Sequence, residues 1–590
     1  MRYVFHIVLI ILCCLCIING SCTYYTAPSG LSSSTLSLDG VWSFKAAHDV
    51  SEEKILAQTE PWDTLSVPGN WDTRPRYSEY VGKGYYKRTF RLPKAWSDKQ
   101  IRIAFKAVYQ TSKVWVNGQL VGTHTGGYLP FEYNITDQVR FDQPNEVVVM
   151  ADNTYQRGAW WPWGGISRDV SIHANHPVRI VYQHIAAVPD FEKKQVQFNI
   201  RYTLENNGAK PIKGTIQPAI EGLDEIKPIE VTIPSGGPKE ATVAFSRKLT
   251  NVNLWDLQSP HLYELTSTLT IGGQIHDTAS DRFGIRKFEV KGEQFFLNNE
   301  PVRLNGVNRV HDHPAYGNTE PDALVVKDMQ DILSLGCRFS RLMHAPLAEN
   351  ILDFCDENGF LLVEEIPVWG DDDPQAFPGN PLTKKWLEDL VKRDYNHPSV
   401  VAWSVGNELR MSDTVARWGK KSLTKNQYDY VNSMLDHVAQ LDTTRLKTYV
   451  SITTYQNGQI GTEPYEKVDF ISMNSYGNAP ELAQKTHEKF AGKPIFISEI
   501  GKGQIGPAPD AVLSEAFIGH LTALKELPYV TGVSLWSYND YRSNYKGTPA
   551  SGFREWGVVS ETREKKKAYR QLKEVFREWE DYLKNEVTKH

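Results

Sequence analysis

Two glutamates draw attention because each closes a run of apolar residues: Glu408 follows 400–405 and Gly406-Asn407, and Glu499 follows Ile495-Phe496-Ile497-Ser498. Two carboxyls facing one pocket can work as a pair on an acetal. One, protonated, serves the leaving oxygen, while the other, ionised, attacks the anomeric carbon or activates water. At a separation of ~5–5.5 Å the second carboxyl forms a covalent glycosyl ester and configuration is retained. The bland alternative is that each glutamate makes a salt bridge to Arg341 or to a neighbouring histidine. Other polar residues gather just past similar runs: Asn308, Arg309, His311, Asp312 and His313; Arg341 and His344; Glu364, Glu365 and Trp369; Asn474 and Tyr476; Trp536 and Asp540. Only one of the adjacent Glu364 and Glu365 can face the same side of a strand. The histidines lack an i, i+4 pair or a cysteine partner, so hydrogen bonding to hydroxyls is a better use for them than metal. Asp540 reads as a residue that fixes a loop.

The elements that must position these residues are apolar runs alternating with amphipathic stretches after Gly284. The candidate strands are 302–307, 337–343, 360–364, 400–405, 447–451, 470–473, 495–497 and 532–536. Eight strands with helices between them predict a (β/α)8 TIM barrel over 285–590, whose chemistry sits where the strands end. An open doubly wound sheet is the rival, but no Gly-rich phosphate fingerprint follows the first run. The lysine-rich segment 561–586 predicts a helix on the barrel's outer ring. Upstream, Lys113-Val114-Trp115-Val116 followed by Asn117-Gly118 is a hairpin mark in a region of short alternating runs. Residues 23–175 are expected to form a jelly-roll β-sandwich and 176–284 an immunoglobulin-like β-sandwich.

Length and composition agree with three domains. The chain has 590 residues, 41% hydrophobic and 23% charged, with a formal charge of −5. Such a balance offers no basic field for nucleic acid or anionic lipid. The 16 Trp and 28 Tyr are a heavy complement, suited to sandwich cores and to surfaces that stack on sugars. Met1-Arg2, the run 4–18, apolar apart from His6, and the small polar exit Asn19-Gly20-Ser21-Cys22 predict a signal peptide over 1–22, with export to the periplasm or the extracellular space. Cys22 is a candidate lipid anchor, although Asn19 stands where a lipobox has an aliphatic residue. Cys13, Cys14 and Cys16 leave with the signal, and Cys337 and Cys355 read as small buried hydrophobes. No cofactor or metal is called for, and a homo-oligomer is allowed.

With these residues in view, the sequence resembles glycoside hydrolase family 2, the family of β-galactosidases, β-glucuronidases and β-mannosidases. The resemblance spans nearly the whole mature chain. It is carried by Leu38-Asp39-Gly40-Val41-Trp42, Val116-Asn117-Gly118, Gly165-Ile166-Ser167-Arg168-Asp169-Val170 and Phe283-Gly284-Ile285-Arg286, then by Asn305-Gly306-Val307-Asn308, Asn396-His397-Pro398-Ser399-Val400 and Ser404-Val405-Gly406-Asn407-Glu408. It implies that Glu408 is the general acid/base and Glu499 the nucleophile. Asn407 would bond the sugar 2-hydroxyl, Tyr476 stand beside the nucleophile, Trp536 lie under the sugar ring, and Arg341 and His344 line the pocket. The implied activity is exo-acting, retaining β-glycoside hydrolysis of an oligo- or polysaccharide, with a β-galactoside as the leading substrate and a β-glucuronide or a modified galactoside as the alternative. A non-catalytic carbohydrate-binding protein is the rival from another class, with an adhesive β-sandwich protein a weaker third; the Glu408/Glu499 pair argues against the former, the large barrel against the latter.

The sequence departs from the family in two places. Where glucuronidases of the family carry Asn-x-Lys, this chain reads Arg554-Glu555-Trp556, and Asn544-Tyr545-Lys546 comes too early. Arg554 is a candidate for gripping a carboxylate or sulfate. Ala159 stands where several relatives carry an Asp that reaches the active site, which weakens the case for a bound sodium. Trp160, Trp161, Trp163, Trp369 and Trp556 are candidate walls of the sugar pocket.

Overall fold

The computed structural model describes residues 34–587 apart from 48–50, 58–61, 371–380, 410–422, 453–454, 456–460 and 502. The expected signal segment and Cys22 lie outside the described residues.

The chain begins with two facing antiparallel sheets. One has four strands in the order Ser34–Ser37, Val170–Asn175, Gln100–Phe105, Phe131–Asn134; the other has six, Asp63–Val67, Gly40–Ala46, Lys83–Arg91, Pro144–Asp152, Thr111–Val116, Gln119–Thr125. Alternate residues of both sheets, such as Trp42, Phe44, Ile101, Ile103, Val147 and Val149, fill the core between them, as period-two patterning requires. A second sandwich follows. Its three-stranded sheet (Val178–Asp190, Gln195–Asn206, Gly237–Lys248) packs on a four-stranded one (Ile229–Ile233, Ile212–Ile220, Tyr263–Ile271, Gln274–Phe283) around Phe198, Ile200, Tyr202 and Leu265.

The remainder is the barrel. Its strands are β1 Gly306–Val307, β2 Phe339–Ser340, β3 Leu361–Glu365, β4 Val400–Asn407, β5 Leu446–Ile452, β6 Ile471–Ser475, β7 Ile495–Ile500 and β8 Val530–Leu535, all neighbours parallel, in the order β1-β8-β7-β6-β5-β4-β3-β2. At the remaining junction Arg309 N donates to Leu342 O (2.7 Å) and Arg338 N to Asn305 O (2.9 Å), so the doubly wound alternative is set aside. The outer helices are α1 Asp322–Ser334, α2 Glu349–Asn358, α3 Pro381–Asp394, α4 Lys425–Leu441, α5 Ala479–Lys489, α6 Glu515–Lys525 and α7 Lys567–Val587. Helix α4 starts on a capping box between Thr424 and Gln427, and α2 stops at left-handed Gly359. In α7 the buried residues Ala568, Tyr569, Leu572, Val575, Phe576 and Trp579 recur at helical spacing and face the barrel.

Two strands are shorter than the sequence suggests. In place of a strand over 302–307, Glu300–Val302 joins Phe288–Lys291 and Gln294–Leu297 in a small antiparallel sheet. The chain then turns at Arg303, whose guanidinium binds the carbonyls of Leu524, Lys525, Leu527 and Val530. The small sheet plugs the barrel floor: Phe288, Phe295 and Leu297 pack with Trp255 against Phe339, Leu361, Val401, Phe470 and Phe496. The run 337–343 supplies only Phe339–Ser340 to the ladder because Arg341 and the residues after it leave for the rim.

Candidate active site

Strands β4 and β7 are buried at every position, and each delivers one carboxylate to the same rim. Being covered on one face by helices and on the other by the barrel interior, they read as continuous apolar runs. At their C-terminal ends the ladders slip register: between Ser404 and Asn407 on β4/β5, Met473 and Asn474 on β6/β7, and Ile497 and Ile500 on β7/β8. Such irregularities re-aim side chains, and they fall where Asn407, Asn474 and Glu499 stand. Glu408 follows in a left-handed conformation (φ 52°), its N–H donating to Val450 O at 2.9 Å. That conformation costs a β-carbon-bearing residue on the order of 1 kcal/mol.

A hydrogen-bond chain runs from Glu408 to the residue that precedes Glu499. Asn474 Nδ2 donates to Asn407 Oδ1 (3.1 Å) and to Glu408 Oε1 (2.9 Å), while Ser498 Oγ, next to Glu499, donates to Asn474 Oδ1 (2.8 Å). Asn308 Nδ2 donates to Ser498 O at 2.9 Å. On the other side Arg341 Nη2 donates to Glu499 Oε1 and Tyr476 OH to Glu499 Oε2. The second arm of Arg341 donates to Glu365 Oε1 at 3.1 Å, and Ser404 Oγ donates to Glu365 Oε2. His344 Nδ1 lies 3.7 Å from Glu499 Oε1. Asn407 Nδ2 and His344 Nε2 are buried without a hydrogen-bond partner among the described residues, and polar groups so placed are normally satisfied by something.

Aromatic rings gather around these groups. His344 stacks on Trp536 (centroids 5.4 Å) and lies parallel to Trp369 (6.3 Å), while Trp160, from the jelly roll, meets His344 edge-on at 4.7 Å. Trp556 meets Tyr476 edge-on at 5.5 Å, and Trp536 Nε1 donates to Tyr541 OH at 3.0 Å. Gly501 lets these rings close, since a Cβ there would lie 3.2 Å from Trp536 O, from Trp556 and from Tyr476. Arg554 stands beside Tyr541, its guanidinium 5.4 Å from the Tyr545 ring and donating to Lys546 O (2.9 Å) and Thr548 Oγ1 (3.3 Å). It is half-buried, and no carboxylate pairs with it among the described residues.

Burial pushes the Glu499 carboxyl up to about 7, with Arg341 opposing the rise and the like charge of Glu408 adding to it. Burial likewise pushes Glu365 up to about 7 against the pull of Arg341. His344 is held well below the usual imidazole range by burial and by Arg341, so its ring is neutral. Tyr476 is pushed well above the usual phenol range by burial and the two carboxylates, so it remains a donor.

Seven residues singled out from the sequence therefore converge: Glu408, Glu499, Asn407, Tyr476, Trp536, Arg341 and His344. Arg554 stands one residue back, behind Tyr541. The salt-bridge alternative holds alongside, because Glu499 is paired with Arg341. Of the adjacent carboxylates, Glu365 turns to this rim, whereas Glu364 Oε2 lies 3.4 Å from Leu347 N and is pushed well up by burial and Asp394. Asn474, Glu365 and Asn308 were visible as polar residues at strand ends, but nothing in the sequence marked them as linkers. The histidines do not converge: His311 Nδ1 lies 3.0 Å from Glu320 and His313 stacks on Tyr316. Asp540 does fix a loop, accepting from Lys566 Nζ (2.6 Å) and Gly557 N (2.8 Å). Trp161 and Trp163 are taken up by the seam between jelly roll and barrel, donating to Asp72 (2.8 Å) and Asp312 (2.7 Å), with Arg542 over the Trp161 ring at 3.7 Å.

The chain matches three family models in series: glycosyl hydrolases family 2, sugar binding domain, over 35–176; glycosyl hydrolases family 2 over 178–286; and glycosyl hydrolases family 2, TIM barrel domain, over 288–580. It is 28% identical to a β-galactosidase of Bacteroides ovatus over 72% of this chain, and spans about half that relative, 55% of its length. It is 28% identical to the β-glucuronidase of Rattus norvegicus over 91% of this chain and 90% of the relative. Solved structures share the fold. A Bacteroides uniformis β-glucuronidase covalently bound to cyclophellitol-6-carboxylate aziridine superposes with TM-score 0.81 at 24% identity, covering 92% of this chain and 70% of that one. An Eisenbergiella tayi β-galacturonidase bound to galacturonate gives 0.80 at 23%, covering 93% and 99%. With three consecutive domain models matched in order along the chain, this protein belongs to glycoside hydrolase family 2.

Proposed function

We propose that this protein is an exo-acting, retaining β-glycoside hydrolase, with Glu499 as nucleophile and Glu408 as general acid/base. The observation that carries the reading is the pair of carboxylates brought to one rim by β4 and β7, Glu408 held by Asn474 and Glu499 by Arg341 and Tyr476. The like charge of Glu408 adds to the cost of ionising Glu499. In the first step a Glu499 oxygen bonds the anomeric carbon as the bond to the leaving oxygen breaks, and that oxygen takes the proton of Glu408. In the second step Glu408 draws a proton from water, the water oxygen bonds the anomeric carbon, and Glu499 departs as a carboxylate. In this reading Asn407 Nδ2, which has no partner among the described residues, donates to the sugar 2-hydroxyl, and Trp536 lies under the ring. The aromatic walls exclude water and strengthen the electrostatics between the charged groups.

For the sugar, the proposal is a terminal β-galactoside, supported by the Bacteroides ovatus relative and by the absence of Asn-x-Lys at 554–556. A β-uronide is the second reading. It is favoured by the half-buried Arg554 without a carboxylate partner among the described residues, and by relatives named β-glucuronidase. The run at 4–18 supports export as part of the same proposal.

The test is a panel of aryl β-galactoside, β-glucuronide, β-galacturonide, β-glucoside and β-mannoside substrates, run with the wild type, Arg554→Ala and Glu499→Ala. The galactoside should give the highest kcat/KM and survive Arg554→Ala. Glu499→Ala should be inactive and be rescued by azide with an α-azide product. Preference for a uronide that collapses in Arg554→Ala would replace the sugar assignment, and substantial activity in Glu499→Ala would sink the mechanism.

A further inference from the structure

We propose that Glu365 is a positioning residue that shares Arg341 with the nucleophile and supports its charge once the covalent intermediate has formed. The inference rests on the reading of Glu499 as nucleophile and goes beyond it. Arg341 is fully buried, and its two arms are divided between Glu499 and Glu365, both also buried. In the free enzyme the guanidinium faces two carboxylates. When Glu499 bonds the anomeric carbon its negative charge is lost to the leaving oxygen, which is neutralised by the proton of Glu408. The positive charge of Arg341 remains in the pocket, where an unpaired buried charge is strongly disfavoured. Glu365 is the carboxylate then left in contact with it, at 3.1 Å, and Ser404 Oγ holds the other oxygen of Glu365 in place.

Two consequences follow for the free enzyme. Sharing Arg341 keeps the Glu499 carboxylate from being bound as tightly as in an exclusive pair, which leaves it nucleophilic. The proton affinity of Glu499 also depends on Glu365. The groups facing this pair are Arg341 and His344 after β2, Ser404 on β4, Glu408 after β4, Tyr476 after β6 and Glu499 on β7. His344 is neutral and Tyr476 keeps its proton, so the charges that matter over this interval are those of Glu365 and Glu499. Removing the charge of Glu365 leaves Arg341 acting undivided on Glu499 and deletes one negative neighbour, so ionised Glu499 is favoured. Glu365 itself gains charge as pH rises through about 7, so its contribution grows over that interval.

The experiment compares wild type, Glu365→Gln and Glu365→Asp on the best aryl β-glycoside of the panel and on its dinitrophenyl counterpart, with pre-steady-state bursts, pH profiles and thermal midpoints. In Glu365→Gln, kcat/KM, which reports formation of the intermediate, should fall about 10²-fold. The kcat for the dinitrophenyl glycoside, limited by breakdown of the intermediate, should fall far less, and the burst should shrink. The acid limb of the kcat/KM profile should move to lower pH, and Glu365→Asp, which restores the charge, should move it back. Equal losses in both steps, or an acid limb that stays where it is in a folded Glu365→Gln enzyme, would overturn the proposal. If Glu365→Gln does not fold, an acid limb and burst in Glu365→Asp indistinguishable from wild type support the proposal, and loss of the burst with an unmoved limb overturns it. Azide rescue of Glu499→Ala, measured in parallel, separates the two readings, because its failure indicts the nucleophile assignment and leaves Glu365 aside.

Discussion

Two β-sandwiches pack on the barrel; both touch its flank, the jelly roll through Trp386 and Arg393 of α3, but their other contacts differ. The jelly roll reaches the C-terminal rim. Its loop at 157–164 is tied down by Trp161 N to Arg542 O (2.8 Å), Ser543 Oγ to Ala159 O (2.7 Å), Asn153 Nδ2 to Pro162 O (2.6 Å) and Gly164 N to Asp72 (2.7 Å). That bracing sets Trp160 against His344. The immunoglobulin-like sandwich meets residues that precede β4: Asn396 exchanges bonds with Gln183 O (2.8 Å) and Ile185 N (3.0 Å), His184 packs tilted on Tyr395 at 3.6 Å, and Arg286 binds Pro398 O (3.0 Å). In a (β/α)8 barrel one end holds the chemistry and the other mainly stability. The tryptophans divide the same way, with eight of the 16 before residue 176 and one, Trp255, within 176–284. Similar architectures thus take on different work according to which residues of the barrel they touch.

The largest expected effect separates the two sandwiches by activity. Trp160→Leu should lower kcat/KM by about 10²-fold through loss of a wall that orients the sugar. Ile200→Ala in the second sandwich should cost about 2–5 kcal/mol of stability and leave KM and kcat of the folded enzyme unchanged. Steady-state kinetics beside denaturant unfolding read both, and a kinetic defect in Ile200→Ala would break the contrast.

A smaller effect distinguishes the seams by pH. Burial pushes Asp72, at the jelly-roll seam, from 3.8 up to about 7, while Asp356 raises His397, at the other seam, from 6.5 to about 9 despite burial. Both groups bind a proton more tightly folded than unfolded, so both contribute stability at low pH that is lost on raising it. For Asp72 the loss runs from about pH 4 to 7, for His397 from about 6.5 to 9. Thermal midpoints across pH should therefore flatten in the lower window for Asp72→Asn and in the upper window for His397→Gln. Exchange of the two windows would show that the seams had been assigned the wrong way round.

The smallest effect belongs to Arg282, which pairs with Asp353 and Glu357 (2.6 Å each) at a partly exposed surface. Arg282→Ala should change stability by less than about 1 kcal/mol and leave kinetics alone. A larger loss, measured by denaturant unfolding, would mean that the second sandwich is held by charge rather than by packing.

The parts of the fold that were legible in the sequence are those where one physical requirement acts along a whole segment. Strands β4 and β7 are covered on both faces, so they appear as nearly continuous apolar runs, beside which Glu408 and Glu499 stand out as a pair of candidates. Strands β1 and β2 contribute two residues each to the ladder, too few for a pattern, and their apolar neighbours belong to the floor plug and the rim. Trp161 and Trp163 resembled Trp160 in sequence, yet only the seam partners Asp72, Asp312 and Arg542 decide which ring is committed to packing.

The sequence by itself determined the order of domains, the strand-and-helix alternation of the barrel and the identity of its two terminal glutamates, because burial and backbone pairing impose periodicities that a single segment records. Only the tertiary structure decided that Glu365 rather than Glu364 faces the rim, that Arg341 is divided between two carboxylates, that Asn474 joins Glu408 to Ser498 and that the jelly roll sets Trp160 against His344. Those outcomes depend on register slips at strand ends and on contacts between residues tens to hundreds of positions apart, and neither leaves a local trace in the chain.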